Sequence, residues 1–446
     1  MNYELRIMNN FVTLQAELKK QMKKSIIASF LLMTTAVSGV WAQGGTKSPY
    51  SQFGIGTLAD YSQSVGRGMN GVGYALREGS QVNTLNPASY SGVDSLTMLF
   101  DMGLSGQFTN YKENNVRRNA SMAAFEYAVA SFRAWRGIGV SFGVLPYSTV
   151  GYDYKTTTRS DVTGTMTETY TGSGGLHQLF LGVGAHVFGP LSVGVNAAYL
   201  WGSIDRSVTP SSSAASNTLT KKYYTSINSY KLDFGAQWQQ KVNSHDILTL
   251  GAVFGLGHKL NNTAEMSIYN TNGASSKTDT TTFRLSDAMA IPMSFGGGVS
   301  YSHGGKLLVA ADFTFDKWSD LKMPGYSNGT YKKQSGLLKD RYKVAAGLDW
   351  QPNPLGRKYL EHVHYRLGVG YATPYYKING QDGPKELSAS IGLALPIVNG
   401  YNNRSVLNIS GQWVRSAADG FITENTFRIN VGITFNERWF MKWKVD

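Results

Sequence analysis

Three glycines have a spacing that could support nucleotide chemistry. Gly66, Gly68 and Gly71 fit the G-x-G-x-x-G pattern with which dinucleotide-binding folds approach a pyrophosphate. That chemistry requires a strand before the glycines and a helix after them within a βαβ unit, and the sequence indicates neither. We therefore interpret these glycines as positions that permit tight turns and close packing of the backbone.

The histidines are the other candidates for chemistry. His362 and His364 are two residues apart, so both would share one face of a strand with Arg366. A metal site needs further ligands, and Arg366 would repel a cation, so we expect polar side chains without a metal. No Ser-His-Asp arrangement can be assigned, because the members of a triad come from distant parts of a chain. We expect no cofactor and no enzymatic activity; a lipase or protease, which the strands described next would place in the outer membrane, is the alternative.

The elements that must position these residues follow a period of two, which predicts β-strands. Residues 191–201 are a clear example, because apolar side chains at odd positions alternate with small or polar ones at most even positions. Strands with one apolar and one polar face, repeated many times, are typical of a transmembrane β-barrel. Lipid offers the backbone no hydrogen bonds, so only helices and closed barrels cross it. No apolar run reaches the roughly 18 residues that a spanning helix requires.

The pattern predicts fourteen strands and therefore an all-β, antiparallel barrel. Links after even-numbered strands are short and most links after odd-numbered strands are long, which is typical of periplasmic turns and outer loops. The predicted strands lie near residues 95–109, 119–132, 136–149, 174–188, 190–206, 223–240, 245–259, 289–303, 305–316, 341–352, 361–376, 386–398, 404–415 and 425–435.

Charged residues within the strands predict which face points inward. Arg428, Lys231 and Asp233 alternate with apolar residues, and a lipid-facing Arg or Lys near the midplane would cost about 2–4 kcal/mol. We therefore expect these three side chains inside the barrel. The aromatic and basic residues 438–444 would lie at the periplasmic interface.

The composition excludes several kinds of site and partner. The chain of 446 residues contains no cysteine, which excludes disulfides, thiolate metal sites and a lipidated N-terminal cysteine. Its net charge is +13, with basic residues dispersed over candidate loops, so we expect no nucleic-acid partner. These residues either face solvent or attract outer-membrane lipid and glycolipid phosphates.

The N-terminal residues are typical of a signal peptide. Four lysines precede a short apolar run, and small residues at positions 40 and 42 predict cleavage after Ala42. We therefore assign residues 1–42 to a signal peptide, in which Met22 is an alternative start; an N-terminal anchor is the competing interpretation. Removing this segment takes away five basic and two acidic side chains, which lowers the net charge from +13 to +10.

Residues 43–94 differ from the rest, because they are rich in glycine, serine and asparagine and show no sustained alternation. We expect a compact plug packed inside the barrel formed by residues 95–446. Its apolar side chains would line a ligand path or pack the plug against the wall. The candidates are Phe53, Ile55, Leu58, Met69 and Val72.

Two motifs before the first strand resemble a known family. The run SVGRGMNGVG (residues 64–73) and the turn Asn86-Pro87-Ala88 resemble the N-terminal hatch of FadL-type outer-membrane transporters. The resemblance implies a fourteen-stranded barrel whose lumen is plugged by the hatch. It also implies a kinked third strand that opens the wall laterally. Pro146 stands where such a kink would be, so Pro146 and Tyr147 would line the ligand path there. Alternatively, Pro146 simply ends strand pairing above the membrane.

The resemblance implies energy-independent uptake of long-chain fatty acids or other hydrophobic small molecules through the bacterial outer membrane. The alternative is a non-transporting accessory or structural barrel of an outer-membrane assembly or secretion complex, whose partners would be other envelope proteins. The lumen distinguishes the two functions. A transporter needs a continuous apolar cavity that reaches the hatch, whereas an accessory barrel can be filled by side chains.

Overall fold

The structure is a computed structural model that describes residues 47–160, 164–212, 217–397 and 405–438. The predicted signal peptide and the aromatic residues 439–444 lie outside these ranges. Within them, no helix combines the length and the apolar character needed to cross a membrane.

Fourteen antiparallel strands form one closed sheet, as the period of two predicts. Each strand pairs with the next, and the last pairs with the first from Thr97 opposite Arg438 to Lys112 opposite Thr423. The prediction of a fourteen-stranded antiparallel barrel is therefore confirmed. The strands are β1 (Thr97–Glu113), β2 (Val116–Trp135), β3 (Ile138–Ser160), β4 (Gly164–Phe188), β5 (Leu191–Ser212), β6 (Asn217–Lys241), β7 (Asp246–Gly255), β8 (Met293–His303), β9 (Leu307–Lys317), β10 (Arg341–Trp350), β11 (His364–Ala372), β12 (Lys385–Ile397), β13 (Ser405–Ala417) and β14 (Thr423–Arg438).

The two faces of the strands differ as expected. In β5, Val195 and Tyr199 are exposed on the outer face, whereas Asn196 and Leu200 are buried on the inner face. Lys231 and Asp233 form an ion pair on the inner face of β6. Arg428 donates hydrogen bonds to Gln412 and Gln107 on the neighbouring strands, at 3.4 and 3.2 Å. The inward orientation assigned to these three charged residues is therefore confirmed.

The predicted long loops are wrong in part, because the structure continues them as strands. Residues 150–160 and 164–173 extend β3 and β4, and residues 207–212 and 217–222 extend β5 and β6. These extensions are rich in β-branched threonine and in tyrosine, which favour strands. They escaped the alternation criterion because polar residues occur on both of their faces.

The remaining connections carry short elements. In the connection between β7 and β8 they are the strands His258–Lys259, Asn262–Asn272, Thr278–Ser286 and Ala290–Ile291. A hairpin of Met323–Ser327 and Thr330–Gln334 follows β9, and Lys377–Ile378 pairs with Gln381–Asp382 after β11. The helix Tyr359–His362 lies between β10 and β11. We call the end of the barrel at Glu113 the long-loop end and the opposite end the short-turn end.

Residues 47–94, which we call the N-terminal segment, contain little regular structure. Their elements are the 3₁₀ helix Pro49–Gln52, the strand Thr57–Leu58 and the helix Ser64–Gly68; a second 3₁₀ helix, Pro87–Gly92, also lies in this segment. Thr57 and Leu58 pair with Thr149 and Ser148 of β3. The G-x-G-x-x-G run thus lies on and just after a helix of only five residues. Gly71 has a φ of +88°, a conformation that glycine adopts without strain.

Candidate functional site

The inner face of the barrel and the N-terminal segment meet through charged and polar groups. Arg67, on the helix Ser64–Gly68, is buried; its Nη2 lies 3.0 Å from Glu126 Oε2 of β2. Arg67 Nη1 donates to Asn430 Oδ1 of β14 at 3.1 Å, and Nε donates to Ser62 O at 3.0 Å. One side chain of the segment therefore joins two strands of the wall.

The predicted hatch turn Asn86-Pro87-Ala88 contacts β5 and β6. Asn86 Oδ1 accepts a hydrogen bond from the Ala88 amide at 3.1 Å, so it caps the following 3₁₀ helix. Asn86 Nδ2 donates to Ala236 O of β6 at 3.1 Å. A Cβ at Gly194 of β5 would lie only 2.4 Å from the Pro87 carbonyl carbon, so that glycine makes the close approach possible.

Two carboxylates hold the middle of the segment against the wall: one belongs to the wall and the other to the segment. Asp312 Oδ2 of β9 accepts hydrogen bonds from the Gly73 and Tyr74 amides at 2.6 and 2.9 Å. Asp60 lies in the segment, where burial raises its pKa, but the charges of Lys343 and Arg67 and hydrogen bonds from Ser62 outweigh burial and lower the pKa to about 2. Asp60 therefore stays ionised over the physiological pH range.

A buried apolar cluster fills the long-loop end; we call it the mouth cluster. It combines Ile55 of the N-terminal segment with side chains of β3–β6 and of the outer connections. Its buried members are Ile55, Tyr147, Val150, Tyr152, Leu176, Leu200, Ile204, Ile227, Leu260, Met289, Ile291, Trp318, Met323, Leu338 and Tyr375. Tyr375 is central, because it packs on Trp318 with ring centroids 4.6 Å apart and accepts a hydrogen bond from the Ile55 amide at 3.1 Å.

A cavity of about 150 Å³ borders the mouth cluster and the N-terminal segment. We call it the lumen cavity. Its lining is mixed: apolar residues such as Leu58, Leu145 and Phe180 lie beside seven charged ones, which are Asp60, Lys231, Asp233, Asp312, Asp316, Arg341 and Lys343. Arg341 Nη1 lies 3.3 Å from Asp316 Oδ2. Buried charges are stable only when they are paired or hydrogen-bonded, so the charged part of this lining favours polar groups or water beside it.

The residues predicted to line a ligand path do not form one path. Ile55 and Tyr147 belong to the mouth cluster, and Phe53 stacks on Tyr376 beside it with ring centroids 5.4 Å apart. Met69 and Val72 are fully buried in a separate cluster with Val65, Leu76, Ala310 and Ala345. Of the residues predicted to line a ligand path, Leu58 and Tyr147 border the lumen cavity and the others lie in these apolar clusters or beside them.

Pro146 marks an irregularity of the wall. Pairing between β2 and β3 extends from Trp135 opposite Ile138 to Ala128 opposite Val144 and is absent beyond that point in the described residues. β3 continues to Ser160, paired with β4 through a register shift between Pro146 and Ser148. Proline at this position thus lies at a bulge and does not end the strand.

The histidines take structural positions. His362 ends the helix Tyr359–His362 and does not share a strand face with His364, contrary to the expected register. His364 Nδ1 and Arg366 Nε both contact Asp349, at 2.8 and 2.7 Å. Among the residues that the structure describes, no group of three or more His, Asp or Glu side chains is arranged to hold a metal ion.

Sequence reasoning missed the charged contacts of the N-terminal segment. Arg67 and Asp60 stand in a stretch predicted to be buried, and a charge in such a stretch requires a buried partner. That signal was available from the sequence. The identity of the partners was not, because Glu126 and Lys343 lie 59 and 283 positions away in the sequence.

The fold is similar to that of solved barrels that include a FadL homologue and toluene transporters. A Pseudomonas aeruginosa FadL homologue matches with a TM-score of 0.57 and 13% identity over 86% of this chain and 100% of that chain. The Ralstonia pickettii toluene transporter TbuX matches with a TM-score of 0.58 and 14% identity over 85% of this chain and 99% of that chain. The Pseudomonas putida toluene transporter TodX matches with a TM-score of 0.56 and 14% identity over 86% of this chain and 100% of that chain. At these identities the likeness establishes a FadL-like barrel fold alone.

The resemblance to FadL-type barrels is supported at the level of the fold, and the matching family profile bears a different name. Comparison with curated proteins finds no match. The BamG family profile matches residues 22–446, which is nearly the whole chain. The protein is therefore a member of the BamG family with a FadL-like barrel fold.

Proposed function

We propose that this protein is a plugged barrel of the bacterial outer membrane that serves as an accessory or structural component of an envelope protein assembly. One observation carries the proposal: charged side chains of the wall interrupt the apolar lining of the lumen cavity. A buried apolar cluster packs at the long-loop end, and the N-terminal segment bonds directly to the wall. A transporter of hydrophobic molecules needs a continuous apolar passage, which such charges would disfavour.

The outer face supports the membrane location. Large apolar side chains are exposed on the outer faces of many strands, among them Leu181, Phe234, Phe313, Ile391 and Ile429. An apolar band around a closed barrel is stable in lipid and would be unfavourable in water. The long-loop end would face the cell exterior, where its lysines would attract the phosphates of outer-membrane lipid and glycolipid.

The contacts of the N-terminal segment support its role as a plug. Asn86, Arg67 and the backbone at Gly73 bond to β6, β2, β9 and β14. Such contacts spread around the wall would hold the segment in the lumen. No covalent chemistry is assigned to any residue in this function.

Uptake of hydrophobic small molecules is the second candidate, and the loss of pairing between β2 and β3 beyond Val144 favours it. A small molecule that enters from outside would leave the lumen through the wall at this point. Such a route would require Ile55 and Tyr147 to move, because both are buried in the mouth cluster. The solved barrels of similar fold include toluene transporters, which is consistent with this candidate.

Two measurements on the same preparation distinguish the candidates. Native mass spectrometry of the gently extracted full-length protein should show a stoichiometric protein partner. Proteoliposomes that contain the purified barrel should take up radiolabelled toluene and palmitate no faster than liposomes without protein. Protein-dependent uptake, or a fatty acid retained in the lumen in place of a partner, would overturn the accessory role and support transport.

A further inference from the structure

A β-sheet extends from the long-loop end of the barrel. β4, β5 and β6 contain 25, 22 and 25 residues, whereas a transmembrane strand needs about 9–11. Asn262–Asn272 pairs with the outer half of β6, from Asn262 opposite Ile227 to Asn272 opposite Asn217. Thr278–Ser286 then pairs with Asn262–Asn272 and is the last strand of this sheet in the described residues. We call the open side of Thr278–Ser286 the free edge.

The register shows which backbone groups point toward the free edge. Asp287 N donates to Asn262 O and Asn272 N donates to Lys277 O, both at 2.9 Å. In an antiparallel pair, hydrogen-bonded positions alternate. Odd-numbered residues of Thr278–Ser286 therefore bond to the neighbouring strand, and even-numbered residues direct N–H and C=O groups outward. The latter are Thr278, Thr280, Thr282, Arg284 and Ser286.

The free edge carries few of the features that usually prevent strand addition. Native edges are protected by proline, charged side chains, bulges or covering elements. Thr278–Ser286 contains no proline, its nine paired residues show no register shift, and its charged residues are Asp279 and Arg284, of opposite sign. Seven of its nine residues are exposed. Phe283 packs on Tyr326 of the outer hairpin with ring centroids 5.9 Å apart, so the hairpin lies against this strand.

The surroundings of the free edge indicate the charge of its partner. The outer half of β6 (217–227), residues 262–287 and the hairpin 323–334 together contain six basic and three acidic side chains. Excess positive charge favours an acidic segment through electrostatic complementarity. The threonines add a β-branched surface that suits strand pairing. An extended peptide that adds to such an edge gains affinity from main-chain hydrogen bonds.

We propose that the free edge of Thr278–Ser286 binds an extended, acidic segment of a partner protein at the cell surface, which adds one strand to the sheet. This inference rests on the accessory role proposed above and names the place of contact. It requires no change in the barrel or in the N-terminal segment.

The absence of cysteine allows a direct test in cells of the native bacterium. Thr280→Cys introduces a single thiol at the free edge, and a membrane-impermeant maleimide is the probe. We expect this thiol to react several-fold more slowly on intact cells than in the purified full-length protein. Ser211→Cys, at an exposed position of β5, is the matched control and should react equally in both.

A second substitution tests whether the partner binds the backbone of the free edge or its side chains. Thr282→Pro removes an outward-pointing amide and leaves the bonds to Asn262–Asn272 intact, since proline is tolerated where the N–H faces away from a pair. In the Thr280→Cys background it should restore rapid labelling, whereas Thr282→Val, which keeps the amide, should preserve the protection.

Each other outcome contradicts the proposal in a defined way. Equal labelling of the Thr280→Cys variant on cells and in detergent would overturn the docking site, even if native mass spectrometry shows a partner and the accessory role stands. Protection that persists in Thr282→Pro would overturn pairing through the backbone. A disulfide-linked homodimer of the Thr280→Cys variant, formed on oxidation, would show that a second copy, and not an acidic partner, covers the edge.

Discussion

Arg67 and Glu126 form a buried ion pair that joins the N-terminal segment to β2, with Arg67 Nη2 3.0 Å from Glu126 Oε2. Arg67 also donates to Asn430 of β14, so the guanidinium spans β1 and connects the two strands on either side of it. The planar fork of arginine is suited to this, because its donors diverge toward separate acceptors. Lysine, with one ammonium group, would not hold both strands at once.

Replacing Arg67 should destabilise the protein strongly. Arg67→Met leaves the partly buried Glu126 without its hydrogen-bonded cationic partner, and about 3–5 kcal/mol, the cost for a fully buried pair, is the upper limit of the loss. The unfolding temperature, measured from heat-dependent gel migration in detergent, should fall. The double substitution Arg67→Met with Glu126→Gln should recover part of the loss, because the uncompensated charge is removed. Equal stability of wild type and Arg67→Met would show that the pair does not anchor the segment.

Asp60 should make the anchoring of the N-terminal segment sensitive to acid. Its pKa in the folded protein is about 2, below the ordinary value of 3.8. A lowered pKa contributes stability that is present above the ordinary value, about 2 kcal/mol here, and is lost as the pH falls toward 2. Cleavage of the segment by pepsin should therefore accelerate between pH 4 and pH 2. In Asp60→Asn, which cannot titrate at this position, the rate of cleavage should rise less between pH 4 and pH 2 than in the wild type.

Adjacent positions on β7 should differ in their tolerance of arginine. Ala252 is exposed on the outer face, whereas Val253 lines the lumen cavity beside Asp233 and Asp312. Ala252→Arg places a charge toward lipid, at a cost of about 2–4 kcal/mol near the midplane, and should reduce the amount of assembled barrel. Val253→Arg should assemble, because carboxylates are near. Outer-membrane fractionation measures both variants, and equal assembly would contradict the assigned faces.

Deletion of residues 43–94 should open the barrel. If the segment plugs the lumen as proposed, its removal takes away the wall contacts of Arg67, Asn86 and Ile55, and small polar solutes should pass. Liposome swelling with arabinose measures this permeability, and heat-dependent gel migration shows whether the variant is folded. A folded deletion variant that is as impermeable as wild type would contradict the role of the segment as a plug.

The sequence predicted all fourteen strands because the boundary between lipid and lumen acts on each residue separately. An apolar side chain such as Val195 is favoured on one face, and a polar one such as Asn196 on the other. That preference repeats along every strand and is readable without knowing any contact. Strand existence was therefore predictable, while the extensions of β3–β6 were not, because both of their faces carry polar residues.

Only the tertiary structure decided what the lumen contains. The pairing of Arg67 with Glu126, the approach of Lys343 to Asp60 and the burial of Tyr375 against Ile55 each join residues far apart in the chain. Local pattern carries no information on such distances, because chain closure determines them. The sequence alone therefore determined a barrel with a distinct N-terminal segment. Only the tertiary structure decided which charged pairs and apolar contacts join that segment to the wall.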